Sequence, residues 1–490
     1  MNMPTGSNHL FFGFKFFFSL LLVTSFLTGS AQQNDKNDHR EALQLVSTWI
    51  DAQKDFDKLQ GVSVSIVKDQ EIIYKRAFGY SDPENKKAAN TTTIYSICSI
   101  SKLFTSIAIM QLWEKGKLRL DDTVASLLPS FKIKQLFSES GPITVRSLLT
   151  HSSGLPRESD FPYWTDFKFP TEKEVNEKLS KQETLYPASG YFQYSNLGMT
   201  ILGELVAKIS GVSFEEYVEN NILKPLRLKS THPYMPEKLW GRELAVGYSS
   251  LYRNGERKKL PYFDANGIRP AAGFSSTVED LALFAAWQFR LLKKGGYEIL
   301  KASTLREMQR VHWIDPDWKN SWGLGFIIFQ ADGNTYVGHD GSCPGYKTAL
   351  QMDMKEKIAV ILMTNTQGVV LDKYMDGIFA ILRKAKPANN TKIDSLNLAQ
   401  YSGYYDNYAW RGEVAVLPWQ GKLIIVDLPN TDPAKTMLLF TPKGKDVFRR
   451  VRNDGSEGEE LRFERNADNS ISRFWRHSNP YDKLTPGIVY

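Results

Sequence analysis

The hydrophobic pattern changes character near residue 385, and that change sets two different folding problems. Upstream, helix-period apolar runs alternate with strand-like ones. The stretch Lys384 to Ser395 is then polar and unpatterned, as a linker is. Beyond it come seven short β-like runs (401–405, 413–417, 422–427, 437–441, 446–451, 460–464 and 471–475), separated by polar turns. That spacing belongs to a small antiparallel sandwich or barrel.

In the upstream part, residues 39–58 carry Ala42, Leu45, Val46, Trp49, Ile50 and Phe56 on one helical side. Strands at 62–67 and 71–78, joined by Lys68-Asp69-Gln70, predict a hairpin. Helices follow from Ser99 to near Gly116, then at 122–128, 197–209 (before Gly211) and 277–292. Three strands at 336–337, 348–352 and 358–363 return to the first sheet, and a helix at 374–384 closes the part. The reading is α+β: an antiparallel sheet flanked by helices plus a helical subdomain, followed by a small all-β domain.

The first residues read as an export signal. Residues 1–31 hold one basic residue, Lys15, and no acid, and the apolar run from Phe16 to Val23 fades into Thr28-Gly29-Ser30-Ala31. Small residues stand at the positions a signal peptidase needs for a cut after Ala31. The other reading, an uncleaved anchor, meets a short apolar core followed at once by Gln32-Gln33-Asn34-Asp35. The expected organisation is thus signal peptide 1–31, a domain 32–385, a linker 386–395 and a β domain 396–490. The product would be periplasmic or secreted, with no stable membrane insertion after cleavage. The formal charge is +7, but bases and acids are interleaved without a basic stripe, which argues against nucleic acid as a partner.

Within Tyr95–Ser106, Ser99 and Lys102 stand three residues apart at the start of a helix, so they share a face. A serine needs a base beside it, and a desolvated lysine can be one. The free N–H groups of a helix start favour a developing oxyanion. Ser65-Ile66-Val67-Lys68 has the same spacing, but on a strand its two side chains would face opposite ways.

Two more motifs carry chemistry. In Tyr194-Ser195-Asn196, a phenolate stabilised by lysine can take a proton, and the Asn196 amide can bind a substrate carbonyl; as structure it is a helix cap with a packed tyrosine. In Gly338-His339-Asp340-Gly341, His339 would support the proton network, Gly341 would leave room for substrate, and the Ser342 N–H could join that of Ser99 in an oxyanion hole. His151, in Leu148–Pro156, reads as structural, its ring holding a loop. The seven histidines show no metal-ligand spacing, and neither metal nor cofactor is expected.

Ser99-x-x-Lys102, Tyr194-x-Asn196 and His339-x-Gly341, in this order, resemble the three motifs of class C β-lactamases and related penicillin-recognising enzymes, D-peptidases included. Gly116-Lys-Leu-Arg-Leu-Asp-Asp-Thr-Val124, His151-Ser-Ser-Gly-Leu-Pro156, Gly273-Phe-Ser-Ser-Thr-Val-Glu-Asp280 and Trp322-Gly-Leu-Gly-Phe326 are similar to phrases of the same family. The resemblance covers roughly residues 40–385, and the β domain resembles the lipocalin-like barrel appended to some members.

The resemblance implies a serine hydrolase that forms an acyl-enzyme on Ser99, with Lys102 and Tyr194 moving protons. Its substrate would be a small molecule or peptide, such as one derived from the cell wall: a D-amino-acid peptide, an ester or a β-lactam. His339 stands where β-lactamases usually have lysine. Asp340 stands where a hydroxyl residue commonly helps bind a substrate carboxylate, which an aspartate would repel. Both favour an esterase, or a peptidase reading an uncharged or cationic end, over an efficient β-lactamase. Phe161 to Phe169 is either an apolar substrate wall or a packed loop. A non-hydrolytic receptor or wall-binding protein of the same fold is the competing class. The resemblance also implies a Cys98–Cys343 disulfide beside the site, against the alternative of two buried thiols; an oxidising compartment permits it. Nothing in the sequence speaks to oligomeric state.

Overall fold

The structure, a computed structural model, describes residues 39–318, 321–331, 333–385, 396–410 and 412–485. The expected signal segment 1–31 and linker 386–395 lie outside the described residues. The chain forms two compact units. One takes in Ser47–Phe379 and Pro429–Asp432, the other the remaining described residues.

The larger unit is built on strands β1 (Gly61–Lys68), β2 (Glu71–Asp82), β3 (Lys87–Ala88), β4 (Trp313–Ile314), β5 (Ser321–Trp322), β6 (Ile327–Ala331), β7 (Asn334–Cys343), β8 (Tyr346–Asp353) and β9 (Ile358–Thr364). They make one nine-stranded sheet in the order β3-β2-β1-β9-β8-β7-β6-β5-β4. The expected hairpin is β1–β2, and β9 returns antiparallel to β1 with Val62 opposite Thr364. Every residue of β9 is buried, which is why it reads as an unbroken apolar run rather than an alternating one.

Five longer helices accompany the sheet: α1 (Arg40–Phe56), α2 (Ser101–Glu114), α3 (Asn196–Ser210), α4 (Val278–Lys294) and α5 (Asp372–Lys384). Their ends follow from capping chemistry. Ser195 and Thr277 cap α3 and α4 with their hydroxyls, and Gly211 ends α3 in the left-handed region. Helix α2 is buried from Ser101 through Leu112, packing on α3 and on the short turn Arg269–Ala272. A helix buried along nearly its whole length has to be a core helix, so Lys102 enters the structure on an enclosed element directly after Ser99.

The smaller unit is a closed barrel of eight strands, from Gly403–Asn407 to Asn479–Lys483. The last strand pairs with the first, Tyr405 opposite Lys483. Its sequence, Asn-Pro-Tyr-Asp-Lys, has no apolar alternation and contains a proline, which is why the sequence marks no strand there. The barrel interior is filled by buried rings, among them Tyr401, Tyr405, Phe448, Phe463 and Phe474. Among the described residues, no single helix is long and apolar enough to cross a membrane.

Candidate active site

Ser99 sits just ahead of α2, in a 3-10 turn spanning Cys98–Ile100, rather than in the helix itself. Cys98 enters that turn with φ +48°, a left-handed conformation for a residue with a side chain, and costs of this kind cluster at functional turns. Lys102 stands on the first turn of α2. Its Nζ lies 3.1 Å from Ser99 Oγ, 2.7 Å from Asn196 Oδ1 and 2.7 Å from the Ala271 carbonyl oxygen. The side chain is fully buried, and that desolvation holds its pKa well below the ordinary lysine value; Glu158 acts against the shift and Arg157 with it. The second Ser-x-x-Lys match behaves as its strand placement predicts. Ser65 donates to the Tyr74 carbonyl and Lys68 to that of Glu356.

The Tyr194 motif lies across from this pair. Ser195 accepts the Gly198 N–H at 2.9 Å and donates to the Pro156 carbonyl at 2.7 Å, which fixes the start of α3 and turns Asn196 inward. The Tyr194 ring has Lys102 Nζ and the Arg157 guanidinium carbon each 4.8 Å from its centroid. Burial pushes the phenol above its usual pKa, although a hydrogen bond with Ser99 and the Arg157 charge pull the other way. The neutral phenol is therefore the resting form, not the phenolate that the sequence allowed. His151 has the supporting place expected of it. Its Nδ1 accepts the Ser195 N–H at 3.1 Å and its ring packs 4.4 Å from that of Tyr194. Burial holds it neutral.

The third motif is on β7. His339, Gly341 and Cys343 alternate onto the face that meets the Ser99 turn, as shown by Gly341 opposite Thr348, whose hydroxyl donates to the Ile97 carbonyl at 3.1 Å. A β-carbon at Gly341 would run into that hydroxyl and that carbonyl. His339 Nδ1–H donates to the Asp340 carbonyl at 2.6 Å, and burial, then the Lys102 charge, lower its pKa to about 3. It is a neutral imidazole whose Nε2 has no protein partner.

Asp340 and Ser342 alternate onto the opposite face, where the Ser342 hydroxyl accepts from Gln367 Nε2 at 3.1 Å. Asp340 is exposed at the surface, yet crowding around its carboxyl and then Asp372 push it up to about 6, against Lys347 and Gln351. Period-two alternation turns the Asp340 side chain away from the face of His339 and Gly341, although its charge still contributes to the raised pKa of Tyr194. The ladder between β6 and β7 ends at Gly338, so residues 339–343 have an open edge. Cys343 and Tyr346 flank a two-residue turn, and by the antiparallel alternation the Ser342 N–H points to that edge. Cys98 and Cys343 form a disulfide that ties β7 to the turn carrying Ser99.

Three motifs from three distant parts of the chain thus converge on one serine, and residues 46–380 match the family described as Beta-lactamase. The chain belongs to the Beta-lactamase family. Beta-lactamase-like protein 2 of Dictyostelium discoideum is 29% identical over 304 residues, 61% of this chain; the match spans only 54% of that protein's length. The octameric penicillin-binding protein homologue from Pyrococcus abyssi superposes with a TM-score of 0.62 at 25% identity, covering 90% of this chain and 99% of that one. The D-amino acid amidase from Ochrobactrum anthropi gives a TM-score of 0.59 at 22% identity, covering 71% and 99%, a likeness of fold.

The Beta-lactamase-family motifs do not account for the whole site. Glu158 accepts from Asn196 Nδ2 at 2.8 Å and from the Tyr163 phenol, and pairs with Arg157 Nε at 3.2 Å. With its oxygen on Lys102 and one N–H on Glu158, Asn196 is less free for a substrate carbonyl than its sequence position suggested. Residues 161–169 form a packed loop: Tyr163, Trp164, Phe167 and Phe169 cluster with one another and with Phe263. That loop delivers the Tyr163 hydroxyl to Glu158. Trp322 also joins the site, its ring 5.1 Å from His151 and 5.9 Å from His339. Glu158 sits two residues past Pro156 in an irregular loop, where no periodicity marks it; a lone carboxylate beside a family phrase was the only signal. Among the described residues, no group of three His, Cys, Asp or Glu is placed to hold a metal.

Proposed function

We propose that this chain is an exported serine hydrolase that cleaves an amide or ester through an acyl-enzyme on Ser99. The observation that carries the reading is the placement of Lys102, a buried amine of depressed pKa, 3.1 Å from the serine hydroxyl. Burial moves Lys102 down and Tyr194 up, and such opposed shifts assign base and acid. The Ser99 proton passes to Lys102 as Oγ bonds to the substrate carbonyl carbon, and the N–H groups of Ser99 and Ser342 hold the oxyanion. The tetrahedral intermediate then expels its amine or alkoxide, which takes the Tyr194 phenolic proton; the Lys102 ammonium returns a proton to Tyr194. Water, deprotonated by the same pair, attacks the ester, releases the acid and restores Ser99.

For substrate, the neutral His339 supplies no cation where a β-lactam carboxylate would be expected to sit. Substrates with an uncharged or cationic group fit better, which agrees with D-amino acid amidase activity among fold neighbours. A D-amino-acid amide or an ester is therefore favoured over an efficiently hydrolysed β-lactam. Residues 1–31 would direct export and be removed near Ala31.

Incubation of the mature protein with a fluorophosphonate or a fluorescent penicillin, read by intact mass and peptide mapping, tests the acyl-enzyme. An adduct on Ser99 is expected. Its absence would instead favour a non-hydrolytic receptor. D-amino-acid amides, p-nitrophenyl esters and a chromogenic cephalosporin, compared by kcat/KM, rank the substrates.

A further inference from the structure

Three acceptors surround Lys102 Nζ, and they are not equivalent. Asn196 Oδ1 and the Ala271 carbonyl oxygen can only accept, so each needs an N–H. Ser99 Oγ can accept or donate. A neutral amine has two N–H bonds and one electron pair. With both N–H bonds taken by Asn196 and Ala271, the pair is left for the Ser99 hydroxyl proton. This holds only while Asn196 shows its oxygen, not its NH₂ group, to the lysine.

Nothing in the asparagine itself sets that choice, since its two ends are alike in shape. The partner on its far side does. Glu158 presents a carboxylate, an acceptor only, 2.8 Å from Asn196 Nδ2, so the NH₂ end must face it. The carboxylate is held in turn by the Tyr163 phenol on Oε2 and by Arg157 Nε on Oε1. Resting on the serine-hydrolase reading above, we infer that Glu158 is a positioning residue: it locks the Asn196 amide with its oxygen toward Lys102 and so aims the lysine electron pair at Ser99. Without that lock the amide can turn, its NH₂ end draws the electron pair away, and an N–H of the amine points at the serine.

A second route for Glu158, by charge alone, has to be separated from this one. The charged and titratable groups facing Lys102 are Glu158 and Arg157 from the loop after Pro156, His151 and Tyr194 from the neighbouring turns, and His339 from β7. Only Glu158 opposes the lowering of the lysine pKa, so removing its charge should leave the amine more basic-form, not less. The two routes differ in what a glutamine does. Glu158→Gln keeps an oxygen where Asn196 and Arg157 both need an acceptor, with its amide NH₂ turned to the Tyr163 oxygen. Glu158→Leu keeps bulk and offers no acceptor.

The test compares the rate of Ser99 labelling by a fluorophosphonate across pH in the wild type, Glu158→Gln and Glu158→Leu, with melting temperatures as folding controls. Locking predicts that Glu158→Leu labels at least tenfold more slowly and that Glu158→Gln stays within about threefold of the wild type. Equal effects of the two variants, or a wild-type rate in folded Glu158→Leu, would overturn it. Neutron diffraction on the deuterated wild type reads the same lock without any turnover. Two deuterons on Lys102 Nζ and the Asn196 ND₂ group toward Glu158 are expected. Three deuterons on Nζ, or the amide oxygen toward Glu158, would overturn the inference. If the wild type fails to label while the neutron result holds, the hydrolase reading falls and the lock stands.

Discussion

Cys98 and Cys343 lie 245 residues apart in sequence and 5.7 Å apart between Cα atoms, joined by a disulfide that ties the turn before Ser99 to the end of β7. Cys98 immediately precedes the proposed nucleophile, and Cys343 immediately follows Ser342, whose N–H is the proposed second oxyanion donor. The bond therefore spans the two backbones that must keep their separation for the oxyanion to be held.

Reduction, or Cys343→Ser, should lower both stability and acylation rate. For a loop this long the chain-entropy contribution is on the order of 5 kcal/mol, an upper figure. Thermal melts with and without dithiothreitol, paired with labelling rates, check it. Two titratable thiols in the denatured, non-reduced mature protein would contradict the bond.

The two Ser-x-x-Lys matches should separate cleanly on mutation. Ser99→Ala is expected to abolish turnover and covalent labelling. Ser65→Ala, which removes only a hydroxyl bonded to the Tyr74 carbonyl, should keep both. Intact-mass analysis after fluorophosphonate treatment reads the difference directly, and labelling that persists in Ser99→Ala would end the assignment.

Tyr194→Phe should lower kcat by ~10²–10⁴-fold, the range of general acid–base work. The ring contacts with His151 and Lys102 need no hydroxyl, so the melting temperature should hardly move. Normal activity with a lowered melting temperature would make the tyrosine a packing residue.

His339 gives a pH test with a definite sign. Its pKa is about 3 in the folded protein, lowered by burial and then by Lys102, against an ordinary value near ~6.5 when unfolded. Between these values the unfolded chain binds the extra proton, so stability falls as pH drops from about 6.5 toward 3. The contribution is complete above that window. His339→Gln should thus lose less stability than the wild type between pH 7 and pH 4. Urea midpoints at the two pH values measure it, and parallel losses in both proteins would place the histidine in a wetter site.

Gly341→Ala should cost both folding and activity. The new methyl group meets the Thr348 hydroxyl and the Ile97 carbonyl, and overpacking of that kind costs ~1–3 kcal/mol. A variant with unchanged stability and wild-type labelling would mean that β7 and the Ser99 turn can separate freely.

What the sequence determined is local. The β1–β2 hairpin, the helices ended by Ser195, Thr277 and Gly211, and the strand character of Ser65 versus the helix start after Ser99 all follow from periodicity and capping within a few residues. The three motifs were legible because each is a compact string. The tertiary structure decided what depends on partners far along the chain. Barrel closure needed Asn479–Lys483 to find its place beside Tyr405, although that strand has no pattern of its own. The face of Asp340 followed from the register of β7 against β8, because a one-residue step reverses every side chain. The lowered pKa of Lys102 and the neutral state of His339 came from desolvation, which no residue carries in its own letter. Glu158 entered the site for the same reason: its role exists only where the loop after Pro156 brings a carboxylate to the far side of Asn196.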